Sequence, residues 1–191
     1  LPSFHKLHPE IDLIVDTTER KVDLARDGYD IVIRAVPRCP PGLEALFSAK
    51  DRFVPVYSPK LLSRGQAMLN MEDLRHLTLL HEGRPNKWYK WLHKQGLNPD
   101  MHHFGASHAH TGAVVQAAVA GQGVAMASAL LASADVQDGA LLVLDEEGLQ
   151  DDVRTYFLCL PDVVNKDAVQ AFRRWAMSEV QSMATESELR V

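Results

Sequence analysis

The sequence predicts a two-lobed α/β fold in which two sheet-forming blocks are joined near Tyr57 and again near Val153. Short apolar runs typical of strands alternate with helical segments of about ten residues, an order that favours parallel-rich sheets with right-handed crossovers. Hydrophobic residues make up 46% of the 191 residues, enough for a substantial core. Two lobes would leave a cleft between them, which is the usual place for a small ligand.

Four segments near the start of the chain carry helix or strand patterns. Residues 1–8 and 19–26 have helical spacing of apolar residues, and the second of these helices ends at Gly28. Residues 11–15 alternate as a strand does, and the apolar run 31–33 is typical of a strand buried on both faces. Because a doubly wound lobe normally begins with a strand, we expect one strand upstream of the first helix to be missing.

The later elements follow the same alternation. Ser58 and Pro59 form an expected hinge after a strand, so we place the first lobe at 1–55 with 154–191 and the second at 56–153. Strands are predicted at 53–57, near Phe104, and at 77–80, 124–127, 141–144 and 155–160. Helices are predicted at 70–74, 88–93, 108–120, 129–134 and 167–183, and residues 185–191 are expected to be frayed.

Charge and cysteine content narrow the class of protein. The net charge is −5, and 20 basic residues are scattered among 25 acidic ones without a dense basic segment. Contact with DNA phosphates needs a positive surface, so we expect any DNA-binding part to lie outside this chain. Cys39 and Cys159 are far apart in sequence, which is typical of reduced thiols. The sequence has neither a long apolar run nor a signal-peptide pattern, which favours a cytoplasmic location and no contact with a membrane.

Other motifs argue against cofactor and enzyme chemistry. Gly121 and Gly123 follow a helix and precede a strand, the reverse of a dinucleotide-binding loop, so they indicate a helix end and a turn. The tract around His102 and His103 lacks the convergent spacing of a zinc site, although one of its histidines could contact a ligand. The sequence has no nucleophile elbow, and Cys159 lies within an apolar strand, where a thiol is usually inert. We therefore expect no cofactor, no metal and no catalysis.

Several segments, in order and along nearly the whole chain, resemble the effector-binding domain of LysR-type transcription regulators. These segments are LPSFHKLHPEIDL at 1–13, VDLARDGYDIVIR at 22–34, VPVYSPKLL at 54–62, EDLRHLTLLHE at 72–82, WYKWL at 88–92, AVVQAAVAGQGVAMAS at 113–128, GALLVLDE at 139–146 and TYFLCLP at 155–161. The Arg after the apolar run and the paired tryptophans are most similar to the subgroup of the glycine-cleavage activator and the β-lactamase regulator.

The resemblance implies a periplasmic-binding-protein-like (type II) fold that senses a small molecule. In the family a winged helix-turn-helix precedes this domain and contacts DNA, so this chain would reach DNA only through a segment that it lacks. A homodimer or tetramer is implied, and an amino acid or a muropeptide-like ligand is the effector suggested by the subgroup. A solute-binding receptor of a transport system is the alternative function, and a small metal- or serine-dependent enzyme is a further one.

The predicted effector contacts combine positions at strand ends with positions that resemble pocket residues of the family. They are Arg34, Arg84, Ser107, His108, Thr111, Ser128 and Tyr156. Two of these residues have a purely structural alternative. Ser107 could be the N-cap of the following helix without contacting a ligand, and Arg34 could pair with an acid such as Asp30. The tryptophans Trp88 and Trp91, three positions apart, are expected to pack in the core rather than form a ligand cage.

Overall fold

The computed structural model describes residues 1–18, 20, 22–183 and 189–190. The chain divides into two compact units, which we call unit 1 (Leu1–Lys50 with Asp152–Val191) and unit 2 (Asp51–Asp151). No helix in the described part of the chain is long and apolar enough to cross a membrane.

Helices and strands alternate from residue 78 to residue 143, as the sequence predicts, whereas the chain opens with two helices followed by two strands. The helices are α1 (Pro2–Leu7), α2 (Leu24–Asp27), α3 (Asn86–Lys94), α4 (Thr111–Val119), α5 (Ala129–Gln137) and α6 (Asp167–Met183). The strands are β1 (Val32–Val36), β2 (Glu44–Tyr57), β3 (Thr78–Glu82), β4 (His103–His108), β5 (Val124–Ser128), β6 (Leu142–Val143), β7 (Leu149–Cys159) and β8 (Leu189–Arg190). Short 3-10 turns occupy Pro59–Leu61, Asp73–His76 and Pro99–Met101.

Unit 1 is a small antiparallel sheet covered by α6. β1 pairs with β7, which in turn neighbours β2, and β8 pairs with β2 at Ser48 and Ala49. The rings of Phe47 and Phe157 stack at 4.1 Å between centroids, and α6 contributes Val169 and Ala176 to the same apolar cluster. This cluster forms the core of unit 1.

Unit 2 is built around three parallel strands. The order is β2-β5-β3-β4, with β3 parallel to both β4 and β5, whereas β2 runs antiparallel to β5 and to β6. Every residue of β5 is buried, because Val124 and Met126 face the cluster that contains α3 while Ala125 and Ala127 face the cluster that contains α4. A sheet covered on both faces explains the continuous apolar run that predicts this strand.

Both tryptophans of α3 lie in the core of unit 2, as predicted. Trp88 and Trp91 are fully buried and meet edge to face at 5.6 Å between ring centroids. The indole of Trp88 donates to Leu80 O at 2.8 Å, and that of Trp91 donates to Asp145 Oδ2 at 2.7 Å. Each ring thus buries a large apolar surface without leaving its N–H group unpaired.

The predictions for the opening segment need correction. Residues 12–18 form no strand, and Leu13, Ile14 and Val15 are 40%, 90% and 61% exposed, because none of the described strands pairs with them. The predicted helix 19–26 is only the single turn α2, capped by Asp23 and ended by Gly28 as expected; residues 19 and 21 lie outside the described residues.

The prediction that 31–33 is a strand buried on both faces is also wrong. Along β1 half-buried and exposed side chains alternate, and Ile33 is 49% exposed, so one face of this strand is open to solvent. β1 also stands at the end of the strand order and pairs with β7 alone among the described strands. An apolar run therefore marks an edge strand here and a central strand at β5. In addition, β7 is not the last strand, because the two-residue β8 follows α6.

The buried indoles make a prediction about stability. Replacing Trp88 by Ala should lower the free energy of unfolding by about 3–5 kcal/mol, since it removes a fully buried ring and leaves a cavity. Urea denaturation followed by circular dichroism measures this loss. The control is Met68→Ala at a side chain that is 59% exposed, which should change stability by no more than about 0.5 kcal/mol. A loss below about 1 kcal/mol for the Trp88 variant would contradict this packing.

Candidate functional site

The carboxyl ends of β3, β4 and β5 lie at one edge of the unit 2 sheet because these strands are parallel. Each strand leads within a few residues into a helix, so the N-termini of α3, α4 and α5 begin at this same edge. We call this region the carboxyl edge; it comprises residues 81–86, 107–112 and 128–131. Exposed N–H groups and the helix dipole make such an edge favourable for anionic or polar ligands.

The end of β3 is fixed by His81, which is 8% exposed. Its Nδ1 lies 2.9 Å from Gly83 O, and its Nε2 lies 3.2 Å from Gly105 O on β4. Arg84 follows in the exposed loop that leads to α3. The imidazole thus connects the loop carrying Arg84 to the neighbouring strand.

Ser107 and His108 lie at the end of β4, opposite His81 and Glu82 of β3. The Ser107 hydroxyl donates to Gly83 O at 2.8 Å. The expectation that Ser107 caps α4 is wrong: the strand continues to His108, and His110 is the cap, its Nδ1 accepting from Ala113 N at 3.2 Å. The Ser107 side chain nevertheless lies at the carboxyl edge, where it was expected.

Thr111 is the first residue of α4 and pairs with a carboxylate of β3. Its Oγ1 donates to Glu82 Oε2 at 2.5 Å. A carboxylate near the N-terminus of a helix is favoured by the helix dipole, so Glu82 occupies a position in which a ligand carboxylate could also be stabilised. The predicted contact Thr111 therefore has an internal partner.

Ser128 is buried where β5 becomes α5. Its hydroxyl donates to Asp51 Oδ2 at 2.5 Å and accepts from Leu131 N at 3.1 Å, which makes it the N-cap of α5. Asp51 also accepts from Leu130 N at 3.4 Å. These contacts give Ser128 a structural role in addition to the predicted ligand contact.

A small cavity of about 10 Å³ opens beside the carboxyl edge, room for about one water molecule. Charged groups line it, namely Glu82, Arg84 and Lys87, together with His81. The Lys87 ammonium lies 4.1 Å from the centroid of the Phe53 ring, a cation–π distance. The cavity brings positive and negative groups into one small space.

A second and larger cavity, of about 210 Å³, lies elsewhere in unit 2. It is lined by Ser58, Pro59, Lys60, Val119, Gly139 and Ala140. The ammonium of Lys60 donates to Val119 O at 3.1 Å, close to the C-terminus of α4. None of the predicted contacts lines this cavity.

Two predicted contacts, Arg34 and Tyr156, lie in unit 1. They are direct partners in the antiparallel register of β1 and β7, so their side chains leave the same face of the sheet. The Arg34 guanidinium donates to Thr18 O at 3.4 Å and Arg20 O at 2.9 Å. The alternative that Arg34 pairs with Asp30 is wrong, because Asp30 accepts from Lys166 Nζ at 3.1 Å instead.

The segment that Arg34 holds has further anchors. Arg20 Nη1 lies 2.7 Å from Asp27 Oδ2, and this ion pair, with a hydrogen bond from Asp23 N, lowers the pKa of Asp27. The Tyr29 hydroxyl donates to Asp16, which raises the pKa of Tyr29. Arg34 therefore helps to position the chain before α2.

The glycine turn, the histidine tract and Cys159 are the remaining motifs of the sequence. Gly121 ends α4 at a φ of 79°, and a Cβ at Gly123 would overlap the carbonyl of Thr78, which confirms a helix end and a tight turn. His102 Nδ1 lies 3.0 Å from Asn98 O, and within the described ranges no three His, Cys, Asp or Glu side chains converge as a metal site would need. Cys159 is fully buried, and burial raises the pKa of its thiol, with a smaller contribution from Glu44.

The sequence reasoning missed His81 and Glu82, which organise the carboxyl edge through Gly83 and Thr111. The available signal was their position directly after the apolar strand at 77–80, since polar residues at the carboxyl ends of parallel strands face the ligand edge of such sheets. The partners of these side chains come from β4 and α4, more than 20 residues later in the chain.

The chain is similar to a family of transcription regulators. The family model described as the LysR substrate binding domain matches residues 1–181. The glycine cleavage system transcriptional activator of Escherichia coli (strain K12) is 30% identical over 179 residues, 94% of this chain and 59% of that protein. The transcriptional activator AmpR of Rhodobacter capsulatus is 30% identical over 176 residues, 92% of this chain and 59% of that protein. The chain thus spans 59% of the length of these curated relatives.

Solved structures have the same fold. The AmpR effector binding domain from Citrobacter freundii superposes with a TM-score of 0.73 at 23% identity, covering 95% of this chain and 89% of that one. The regulatory domain of CrgA, a LysR-type regulator from Neisseria meningitidis, gives a TM-score of 0.65 at 21% identity, covering 96% and 89%. The predicted fold class, a type II periplasmic-binding-protein-like α/β fold, is confirmed.

The contacts of Ser128 make a prediction that separates a structural role from ligand contact. Ser128→Ala should lower the free energy of unfolding by about 1–2 kcal/mol, because it removes the cap of α5 and the hydrogen bond to Asp51. Thermal unfolding without ligand measures the loss. Ser63→Ala, in an exposed loop, is the control and should change stability by no more than about 0.5 kcal/mol. Equal stability of both variants would show that the cap contributes nothing.

Proposed function

The chain belongs to the LysR substrate binding domain family, and we propose that it is the effector-sensing part of a LysR-type transcription regulator. In this proposal a small molecule binds at the carboxyl edge of unit 2. The observation that carries it is the convergence of three helix N-termini with the side chains of Arg84, Ser107, His108 and Thr111 at one edge of a parallel sheet. Such an edge supplies donors for a ligand without catalytic groups.

The chemistry of this edge favours a small polar ligand with an acidic group. Arg84 and Lys87 supply positive charge, the helix N-termini supply N–H groups, and Glu82 could receive an ammonium group. An amino acid or a muropeptide-like molecule has both kinds of group, and we propose this class as the effector. One related Citrobacter freundii effector binding domain was solved with a threonine, a serine and a tyrosine each replaced by a residue lacking the hydroxyl. The hydroxyls of Ser107, Thr111 and Tyr156 are the corresponding type of group in this chain.

Effector binding would act by shifting an existing equilibrium of the domain. A ligand that binds one conformation more tightly raises the population of that conformation by its difference in affinity. The curated relatives extend beyond the region that this chain matches. We propose that the regulator binds DNA through a winged helix-turn-helix outside this chain, forms a homodimer or tetramer and works in the cytoplasm.

The named relatives are transcription regulators, which leaves the alternative of a transport receptor without support. The same relationship supports a binding role without catalysis.

Arg34 and Tyr156 of unit 1 stay proposed contacts. To contact a ligand, the guanidinium of Arg34 would have to keep or exchange its two hydrogen bonds to the backbone carbonyls of Thr18 and Arg20.

A thermal-shift screen with free amino acids and other small carboxylates tests the proposed function. A true effector at 100 times its Kd should stabilise the domain by about 2.7 kcal/mol. Ser107→Ala should weaken the affinity for that compound by about fivefold to tenfold, since it removes one hydrogen bond of about 1–1.5 kcal/mol. Isothermal titration calorimetry measures the affinities.

The matched control is Ser63→Ala, which removes the same hydroxyl from an exposed position and should leave affinity unchanged. If Ser107→Ala binds a confirmed ligand as the unaltered chain does, the proposed site is wrong. Binding of DNA by this chain alone would contradict the argument from its net charge of −5.

A further inference from the structure

His81 occupies an unusual position for a histidine, because both of its ring nitrogens face carbonyl oxygens. Nδ1 lies 2.9 Å from Gly83 O and Nε2 lies 3.2 Å from Gly105 O, while the side chain is buried between β3 and β4. A carbonyl oxygen can only accept a hydrogen bond. A neutral imidazole has one N–H group, so it can donate to one of these oxygens but not to both; the imidazolium form donates to both.

The residue that His81 contacts is also the point where the loop before α3 meets β4. Gly83 O accepts from the Ser107 hydroxyl at 2.8 Å as well as facing His81, and Gly83 N donates to His108 O at 3.3 Å. Arg84 follows directly. The bonds made at Gly83 therefore determine where Arg84 and Ser107, two proposed effector contacts, lie relative to each other.

Charged groups of both signs lie around His81. Glu82, Arg84 and Lys87 line the same cavity, from β3, the loop and α3; the other cavity-lining elements contribute the uncharged residues Phe53 of β2 and Met126 of β5. On β4, His108 lies opposite Glu82, and at the start of α4 His110 caps the helix through its Nδ1. Negative and positive groups therefore lie around the ring of His81.

We propose that His81 is a positioning residue of the effector site: its protonated form ties the Gly83 loop to β4 and so fixes Arg84 beside Ser107. This inference rests on the proposed function for the meaning of the site, but the geometry that it concerns exists without ligand. Loss of the proton removes one of the two hydrogen bonds and leaves a ring nitrogen facing a carbonyl oxygen, so the loop is held less tightly. The carboxyl edge is then better ordered at mildly acidic pH than at alkaline pH.

Two substitutions separate the two hydrogen bonds. His81→Asn places an amide N–H near the position of Nδ1 and can keep the bond to Gly83 O. His81→Gln reaches toward the position of Nε2 and can keep the bond to Gly105 O. Neither side chain titrates, so both variants keep one bond at every pH, as the neutral histidine does.

The test is NMR on the isotopically labelled chain at pH 5.5 and pH 8, with no effector present. The ring nitrogens of His81, assigned by their absence from the two variants, should both carry a proton at pH 5.5 and only one should at pH 8. The hydrogen-exchange protection factor of the Gly83 amide, corrected for the intrinsic exchange rate, should be about fivefold to tenfold higher at pH 5.5, as the loss of one hydrogen bond predicts. In the two variants this protection should not change with pH.

A single N–H on the His81 ring at both pH values would overturn the proposal, and so would an equal change of Gly83 protection in the unaltered chain and the variants. If the variants do not fold, the ring nitrogens of His81 are assigned instead by through-bond correlation to the backbone of His81, and their signals in the unaltered chain still decide. These readouts need no effector, so their failure would leave the proposed function standing, and failure of the effector screen would leave the NMR result standing.

Discussion

The parallel pairing of β3 with β4 and β5 is the constraint on which the candidate site depends. A parallel strand cannot return through a tight hairpin; it needs a crossover, here supplied by α3 and α4, and α5 follows the third strand in the same way. Because the three strands point in one direction, their carboxyl ends and the three helix N-termini meet at one edge. The polar side chains there follow from chain direction more than from any single motif.

That edge is held in place by the chain's own polar pairs above a core that is buried on both faces of the sheet. Ser128 caps α5 and binds Asp51, Thr111 donates to Glu82, and His81 faces two carbonyl oxygens. Beneath these pairs, the buried Trp88 donates to the backbone of β3. Since groups already fixed by packing lose little entropy when a ligand binds, this arrangement suits recognition of a small polar molecule.

The sequence predicts an element best where its pattern is local or where both faces of the element are buried. α6 lies at 167–183 as predicted, and β5 is found because a strand covered on both faces needs an unbroken apolar run. The same reasoning fails at 31–33, since an apolar run does not reveal whether both faces of a strand are covered. Residues 11–15 alternate as a strand should, yet strand formation needs a partner, and none of the described strands provides one.

The sequence predicts the positions of some site residues but not the contacts that they make. Arg84 could be placed because it follows the apolar run at 77–80, and Ser107, His108 and Thr111 because they lie at the start of an apolar helix. Their partners could not be predicted, since those depend on which strands become neighbours. Ser107 was expected to cap a helix that begins four residues later, because strand and helix patterns overlap at 107–110. The sequence alone does not identify His81 and Glu82, because the partners of their side chains lie on β4 and α4.

The most direct test of the account is a ¹H–¹⁵N NMR titration of this chain with the compound that stabilises it most. If the carboxyl edge is the effector site, the largest amide shift changes should fall within 82–84, 107–112 and 128–131. Changes concentrated instead around Ser58–Lys60 and Gly139–Ala140, where the larger cavity lies, would contradict the central claim.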